Sequence, residues 1–445
     1  MASHIRPEVT GAADTEVGSY FVANYPPFSV WTTGAVDTLA RPALESSSAK
    51  IPLGLYLHIP FCRKRCHFCY FRVYTDKNAN EIQSYLDTLA REWELYGEQR
   101  AIAGRPLDFI YFGGGTPSFL SVRQLRGLVD RLSAVRSWST ASEITFECEP
   151  GTLTESKLAA IREMGVTRLS LGVEHFDDQV LEQNGRAHRS AEIFRAYDYA
   201  RSIKFPQINI DLIAGMLGET EAKWKNAVEQ TLELSPDSVT IYQMELPFNT
   251  TISSDLLKGA GQFNQTVAPW ATKRKWVDDA FTRLEKAGYT VGSAYTAVKD
   301  PTRTTFVYRD RLWQGADLAG LGVASFGHIN GVHMQNLDSW GPYAEAVQSG
   351  HIPLNRAYRP TNEERMIREL VLQLKLGSIR PSYFQDKYQV DVRSRFAPPF
   401  ESLKRDGFLE ELSTQKVKLS RDGLLRVDSL LPRFFLPTHT DIRYT

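Results

Sequence analysis

Three cysteines fall within eight positions, as Cys62-x-x-x-Cys66-x-x-Cys69, with Arg63, Lys64 and Arg65 between the first two. The fourth cysteine, Cys148, stands apart. In a reducing compartment a tight cysteine cluster points to metal or redox chemistry, not to a disulfide. A structural zinc site asks for four ligands, usually as paired halves. No second pair exists here, and His67 lies inside the run. Three thiolates suit three irons of a [4Fe–4S] cube, and the fourth iron then stays open to a small molecule. Plain buried cysteines would not be expected on a loop flanked by three basic residues. The expected ligands are therefore Cys62, Cys66 and Cys69.

The elements that must position this loop follow from hydrophobic periodicity. Short β-prone runs recur at Gly54–Ile59, Asp108–Phe112, Glu143–Cys148, Arg168–Val173, Ile208–Ile213 and Ser238–Met244. Helical patterns follow at Glu81–Glu98, Val122–Arg136, Glu155–Met164, Ala191–Ile203 and Glu221–Leu234. Strand–helix alternation implies parallel strands, because a parallel pair needs a crossover. The expectation is an α/β fold with a partial (β/α)6 barrel, whose chemistry sits on loops after the strands. The unusual residues do fall there. The cysteines follow the first strand, Gly113-Gly114-Gly115-Thr116-Pro117 the second, and Glu147-Cys148-Glu149-Pro150-Gly151 the third. Gly172-Val173-Glu174-His175 ends the fourth, Asp211 lies on the fifth, and Gln243-Met244-Glu245-Leu246-Pro247 follows the sixth.

Outside the barrel the pattern changes. Residues 1–50 read as an arm in which the aromatic stretch Asn24–Trp31 packs on the body or on a ligand; composition leaves both open. The barrel is expected over 51–290, with a helix at Lys273–Ala287. A connecting segment over 291–360, expected to close the barrel, includes a glycine-rich passage, Gly315–Gly331. Over 361–445, helices at Glu363–Leu376, Arg380–Lys387 and Ala397–Asp406 and a hairpin ending near Val427 suggest a winged-helix-like module.

The chain has 445 residues, with 52 Lys plus Arg against 52 Asp plus Glu, so charge gives no reason to expect nucleic acid or membrane as partner. No apolar run reaches the ~18–20 residues of a membrane helix. No secretory signal is visible, and a cytoplasmic location is expected.

Cys62-x-x-x-Cys66-x-x-Cys69 after the first strand of such a series resembles the radical S-adenosylmethionine (SAM) superfamily. Tyr56–Cys62, Gly113–Pro117, Gly172-Val173-Glu174 with Arg186, Asn209–Ile213, Gly320-Leu321-Gly322 and Glu363–Gly377 are together similar to the HemN-like family of oxygen-independent coproporphyrinogen III oxidases. The resemblance runs from about residue 20 into the C-terminal module.

That resemblance implies a [4Fe–4S] cluster whose open iron is chelated by one SAM, which is cleaved to a 5′-deoxyadenosyl radical. It assigns Tyr56, Gly114 and Glu147 to the first SAM, with the glycines offering backbone N–H groups. Phe68, Gly115, Thr116, Glu174, Arg186 and Asp211 fall to a second SAM, and Met244 and Ala324 complete the expected cofactor contacts. A small-molecule substrate and an electron donor such as flavodoxin or ferredoxin are implied partners. His58, His175, His328 and Glu245 are further rim candidates; a lone histidine is more often structural.

The chain departs from the porphyrinogen oxidases in three places. Glu174 replaces a usual glutamine, Phe71 stands where those oxidases carry a further cysteine, and Tyr25-Pro26-Pro27-Phe28 lacks the arginine expected beside a tetrapyrrole carboxylate. These departures favour the HemN-like methyltransferases and cyclopropanases, which alkylate an sp² carbon using two SAM molecules. Coproporphyrinogen oxidation is the alternative, and haem chaperoning a third.

Overall fold

The computed structural model describes residues 21–47, 50–259 and 267–440; the first twenty residues of the expected arm lie outside that range. Six strands, β1 (Leu53–Ile59), β2 (Phe109–Gly114), β3 (Glu143–Cys148), β4 (Arg168–Glu174), β5 (Gln207–Ala214) and β6 (Ser238–Gln243), lie side by side in chain order, all parallel. Alternation along each strand sorts the two faces. Leu55, Leu57, Ile110, Phe112, Phe146, Leu169, Leu171, Ile210 and Ile241 are buried in the main apolar core, each contributing about 1.5–3 kcal/mol of transfer free energy. The alternate positions Tyr56, Tyr111, Glu147, Ser170, Asp211 and Thr240 share the other face, which lines the barrel.

The crossover helices begin where a side chain caps them. Asn78 Oδ1 accepts from the N–H groups of Asn80 and Glu81, and Glu81 answers by accepting from Asn78 N at 2.9 Å. That capping box starts the helix at Ala79, two residues before the periodicity suggests. Ser121 forms a second capping box with Gln124, and the hydroxyls of Thr154 and Thr220 cap two further crossover helices.

The sheet does not end at six strands. Two short strands, β7 (Thr290–Val291) and β8 (Thr296–Val298), add antiparallel beyond β6. On the opposite side β9 (Asp317–Leu321) pairs parallel with β1, and β10 (Phe326–Ile329), β11 (Val332–Asn336) and β12 (Leu354–Tyr358) continue it antiparallel. The result is one twelve-stranded sheet, curved but not closed. The segment expected to connect and to close the barrel therefore supplies β8 to β12, five of the twelve strands, and extends an open sheet. Its glycines serve strand contacts: a Cβ at Gly320 would lie 2.1 Å from the Phe326 carbonyl.

Glu92 locks this extension to the first crossover helix. Its carboxylate accepts from Gly322 N (2.8 Å), Tyr343 OH (2.6 Å) and Asn336 Nδ2 (2.6 Å).

A second apolar core gathers the C-terminal helices Asn362–Leu374, Pro381–Tyr388 and Ala397–Arg405 with a small sheet of β13 (Ser378–Ile379), β14 (Leu409–Leu412) and β15 (Val417–Leu419). The hairpin stops at Leu419, earlier than expected. Ser420 caps a short helix at Arg421–Leu425, and Val427–Leu430 is helical too.

The aromatic arm packs on the body. The Tyr25 hydroxyl accepts from Leu436 N at 3.0 Å, and the Trp31 ring stacks on His333 at 5.0 Å. Lys375, fully buried, donates to Val22 O at 2.6 Å and pairs with Asp428 at 2.8 Å.

Burial pushes the Glu92 carboxyl up from 4.5 to about 7, although its three hydrogen bonds favour ionisation. The folded chain thus holds a proton that the unfolded chain releases at lower pH. The stability from this group is complete below the unfolded value and is lost as pH rises through the folded one. Thermal melts are expected to show wild-type Tm falling relative to Glu92→Gln between about pH 5 and pH 7.5; parallel pH profiles would contradict this.

Candidate active site at the mouth of the barrel

The cysteine loop is closed at its base. Tyr74 N donates to Pro60 O at 2.7 Å, and Cys62 N donates back to Tyr74 O at 3.1 Å. Phe61, fully buried, meets Tyr85 and Trp340 edge-on at 5.3 and 5.8 Å. Within the loop, Cys69 N donates to Cys66 O, and Arg65 donates to Cys69 O, both at 3.1 Å. The His67 ring lies against Gly185. Its Nδ1 lies 3.0 Å from Gln183 O, its N–H donates to Asn184 O, and its carbonyl accepts from Thr251 and Ile252. It ties the loop to the segment that carries Arg186.

None of the three cysteines is in a disulfide, and each is partly exposed. Burial pushes Cys62 up to about 12 and Cys69 to about 11, and charge on neighbouring sulfurs adds to both shifts. Bare thiolates at Cys62 and Cys69 are thus unfavourable, whereas a cationic iron–sulfur core would hold them ionised. Donors already face the sulfurs: Thr116 Oγ1 lies 3.3 Å from Cys62 Sγ, and Arg186 Nη1 3.4 Å from Cys66 Sγ. Among the described residues no three His, Cys, Asp or Glu side chains converge as they would on a single ion. A cube asks for one thiolate per iron. The donor set fits the cluster.

The Gly113–Thr116 turn passes directly beside this loop. A Cβ at Gly115 would lie 3.0 Å from Cys62 Sγ and 2.9 Å from Ile59 O, and one at Gly114 would meet the His58 ring at 2.6 Å. The expectation that these glycines offer N–H groups to a ligand is corrected. Gly115 N donates to Ile59 O and Thr116 N to Phe61 O, both at 2.9 Å, while Gly114 N donates to Glu147 at 3.2 Å. The glycines give close approach; the N–H groups of Gly115 and Thr116 hold the two turns together.

The barrel wall beside them is acidic. Tyr111 OH donates to Glu147 Oε1 at 2.6 Å, yet burial pushes that carboxyl up to about 7. Asp211 accepts from Ser170 and Asn209, each at 2.8 Å, and burial raises it as well. Glu174 sits at a bulge in β4 with φ of 62°, a left-handed conformation uncommon away from glycine. Burial pushes it up to about 7 against the pull of Arg186, whose Nη1 lies 3.7 Å away. The Arg186 Nη2 donates to Gly172 O, while its Nε is buried with no hydrogen-bond partner among the described residues. Tyr56 stacks on Tyr111 at 6.0 Å and lies 3.2 Å from His58 Nδ1.

Phe68 and Met244 join Val180, Ile213 and Met216 in a separate apolar cluster. Ala324 follows β9 with φ of 60°, its carbonyl 3.4 Å from Gln335 Nε2, so it belongs to the sheet extension and not to the hydrogen-bonded group around the sulfurs.

The other rim candidates separate clearly. His175 accepts from Asp177 N at Nδ1 (2.8 Å), so its Nε2 carries the proton that faces Glu219 at 3.1 Å, a structural pair. His328 lies 2.9 Å from His333 on the extension. Glu245 follows β6, and burial pushes it up to about 8. The sequence reading missed a clamp behind the cysteine loop. Arg63 grips both oxygens of Glu149, at 2.9 and 3.2 Å, and His188 Nδ1 lies 3.3 Å from the same carboxylate. Burial opposes ionisation of Glu149, but His188, Arg186 and Arg63 outweigh it and hold the group at about 2. The signal was the basic run beside Cys62 together with the second acid after β3.

Comparison with known proteins adds the following. Residues 56–231 match the Radical SAM superfamily. The chain is 28% identical over 377 residues to the heme chaperone HemW of Bacillus subtilis, across 83% of this chain and 96% of that relative. It is 27% identical over 424 residues to the oxygen-independent coproporphyrinogen III oxidase of Pseudomonas aeruginosa, across 90% of each. The coproporphyrinogen III oxidase HemN of Escherichia coli, solved as a radical SAM enzyme, shares the fold. Its TM-score is 0.81 at 23% identity, with 93% of this chain and 96% of that one covered.

Replacing Cys62, Cys66 or Cys69 with alanine is expected to lower anaerobically reconstituted iron from about four per chain to below about one. Cys148→Ala should retain it, since that thiol is buried on β3 facing Phe146 O. Iron quantification checks this; full iron in any of the first three variants would contradict the assignment.

Proposed function

From a chain that carries a radical SAM domain and is homologous to the HemN-like coproporphyrinogen III oxidases, we infer an enzyme that performs radical chemistry on a carbon of a small-molecule substrate inside its barrel. The observation that carries this reading is the cysteine loop seated against the Gly113–Thr116 turn, with Thr116 and Arg186 aimed at its sulfurs. A [4Fe–4S] cluster and SAM are the cofactors the superfamily implies, and bound together they supply a hydrogen-abstracting 5′-deoxyadenosyl radical.

The chain's own residues divide the remaining work. Cys62, Cys66 and Cys69 would hold three irons. Thr116 and Arg186 donate to sulfur and so stabilise negative charge there. Glu147, anchored by Tyr111, offers a carboxylate to the amino or hydroxyl groups of SAM. Glu174, Arg186 and Asp211 would take the polar ends of a second SAM, and Phe68 and Met244 its apolar parts. The buried barrel wall excludes water from the reacting carbon. A flavodoxin or ferredoxin would supply the electron.

Two reactions fit this machinery. Radical decarboxylation of a tetrapyrrole propionate draws support from the oxidases among the relatives. Alkylation of an sp² carbon draws support from Phe71, which is exposed and stacked on Tyr70 at 4.5 Å in the place where the oxidases carry a thiol. Haem chaperoning rests on the HemW relative alone.

Reduced, cluster-bearing protein is expected to convert SAM to methionine and 5′-deoxyadenosine. Carbon dioxide release from coproporphyrinogen III marks decarboxylation, and transfer of methyl label into product marks alkylation. Stoichiometric haem binding without SAM cleavage would overturn the enzymatic reading.

A further inference from the structure

The lining of the barrel continues past β1. One row of side chains crosses the sheet at a single level: Tyr111 on β2 pairs with Tyr56 on β1, and Tyr56 with Gly320 on β9. On β10, His328 pairs with Leu318, two residues from Gly320, and the Phe326 carbonyl closes on Gly320 itself. Phe326 then pairs with Gln335 on β11, and Gln335 with Arg356 on β12. Residues directly opposite share a face, so Phe326, Gln335 and Arg356 extend the face that carries Tyr56.

The arm roofs the far end of this row. Phe28 and Trp31 lie 5.9 and 5.5 Å from the Phe326 ring, and the Arg356 guanidinium stands 5.8 Å over Phe28. Trp31 and Gln335 are only 4% and 9% exposed. Among the described residues, Trp31 Nε1, Gln335 Oε1 and Arg356 Nε are buried with no hydrogen-bond partner. His333 Nε2, on the ring stacked under Trp31, is a fourth such atom. Buried polar groups are nearly always satisfied, so orphans gathered here call for a ligand that supplies what the protein does not. The two donors, an indole N–H and a guanidinium, suit an anionic oxygen. Gln335 Oε1 stays an acceptor beside them, because its Nε2 donates to Ala324 O at 3.4 Å. Glu147, Asp211 and Glu174 gather on β3 to β5 with Arg168 among them, while Arg356 is a cation on β12 at the other end of the row.

We propose that Arg356 and Trp31, roofed by Phe28 and Phe326, form a subsite that takes a carboxylate of a substrate whose apolar body packs against those rings. Arg356 is then a specificity-determining residue. This rests on the reading that the substrate reacts within the barrel.

The test uses full-length, cluster-bearing protein and fluorescence titration with two probes, coproporphyrin III and its tetramethyl ester. The free acid should bind at least about tenfold more tightly than the ester. Arg356→Ala should weaken acid binding about ten- to a hundredfold, the loss expected for a hydrogen bond to a charged group, without changing ester binding. Arg356→Lys should recover part of it. Trp31→Phe, which keeps the ring stack and removes only the N–H, should weaken the acid selectively and guards against a misfolded Arg356→Ala. Equal binding of acid and ester, binding of neither, or full acid affinity in Arg356→Ala and Trp31→Phe would overturn the subsite. Acid-selective binding by wild-type protein unable to cleave SAM would leave the subsite standing and defeat the radical reading.

Discussion

The structure depends on one close approach, that of the Gly115 backbone to the cysteine loop. No side chain fits there, because a Cβ would press on the Cys62 sulfur and on the carbonyls of Ile59 and Phe61. The two turns can meet this closely because β1 and β2 are neighbours in register, with Ile59 opposite Gly114. The backbone N–H groups of Gly115 and Thr116 then join the turns, which leaves the Thr116 hydroxyl beside sulfur. The sheet order, the glycine run and the cysteine spacing are one requirement expressed three times.

Around that contact the barrel stores charge in an unfavourable form. Glu147 and Glu174 are each pushed up to about 7 by burial, and Asp211 is raised beside them. Carboxyls so placed gain from a cationic ligand, and a sulfonium with an ammonium group is one. Arg186 works on both sides of this balance, since it faces Cys66 sulfur and Glu174 at once. Behind the loop, the Arg63–Glu149–His188 clamp fixes a second edge, so the cysteines are held from the turn and from the barrel wall.

The six parallel strands were readable from sequence because buried strands alternate with amphipathic helices whose caps, such as Asn78 with Glu81, are local. The extension was harder to read. β9 to β12 are short, and the glycines that read as loop are there because other backbone approaches them, as Phe326 does Gly320. Asn330-Gly331 was nonetheless a visible signal. Both residues have positive φ and join Ile329 to Val332 across a two-residue turn, the pattern of a tight hairpin. The Arg63–Glu149 contact spans 86 positions, and nothing local announces it. The glycine N–H groups were misjudged for a related reason: a glycine run signals close approach without saying whether ligand or protein does the approaching.

The central claim is that three thiolates bind an iron–sulfur cube and leave one iron free for SAM. Mössbauer spectra of anaerobic protein reconstituted with iron-57 test it directly. Adding SAM should shift one iron site and leave the others, splitting the signal in a ratio of about three to one. A spectrum that SAM leaves unchanged, or one without a four-iron cluster, would contradict the account.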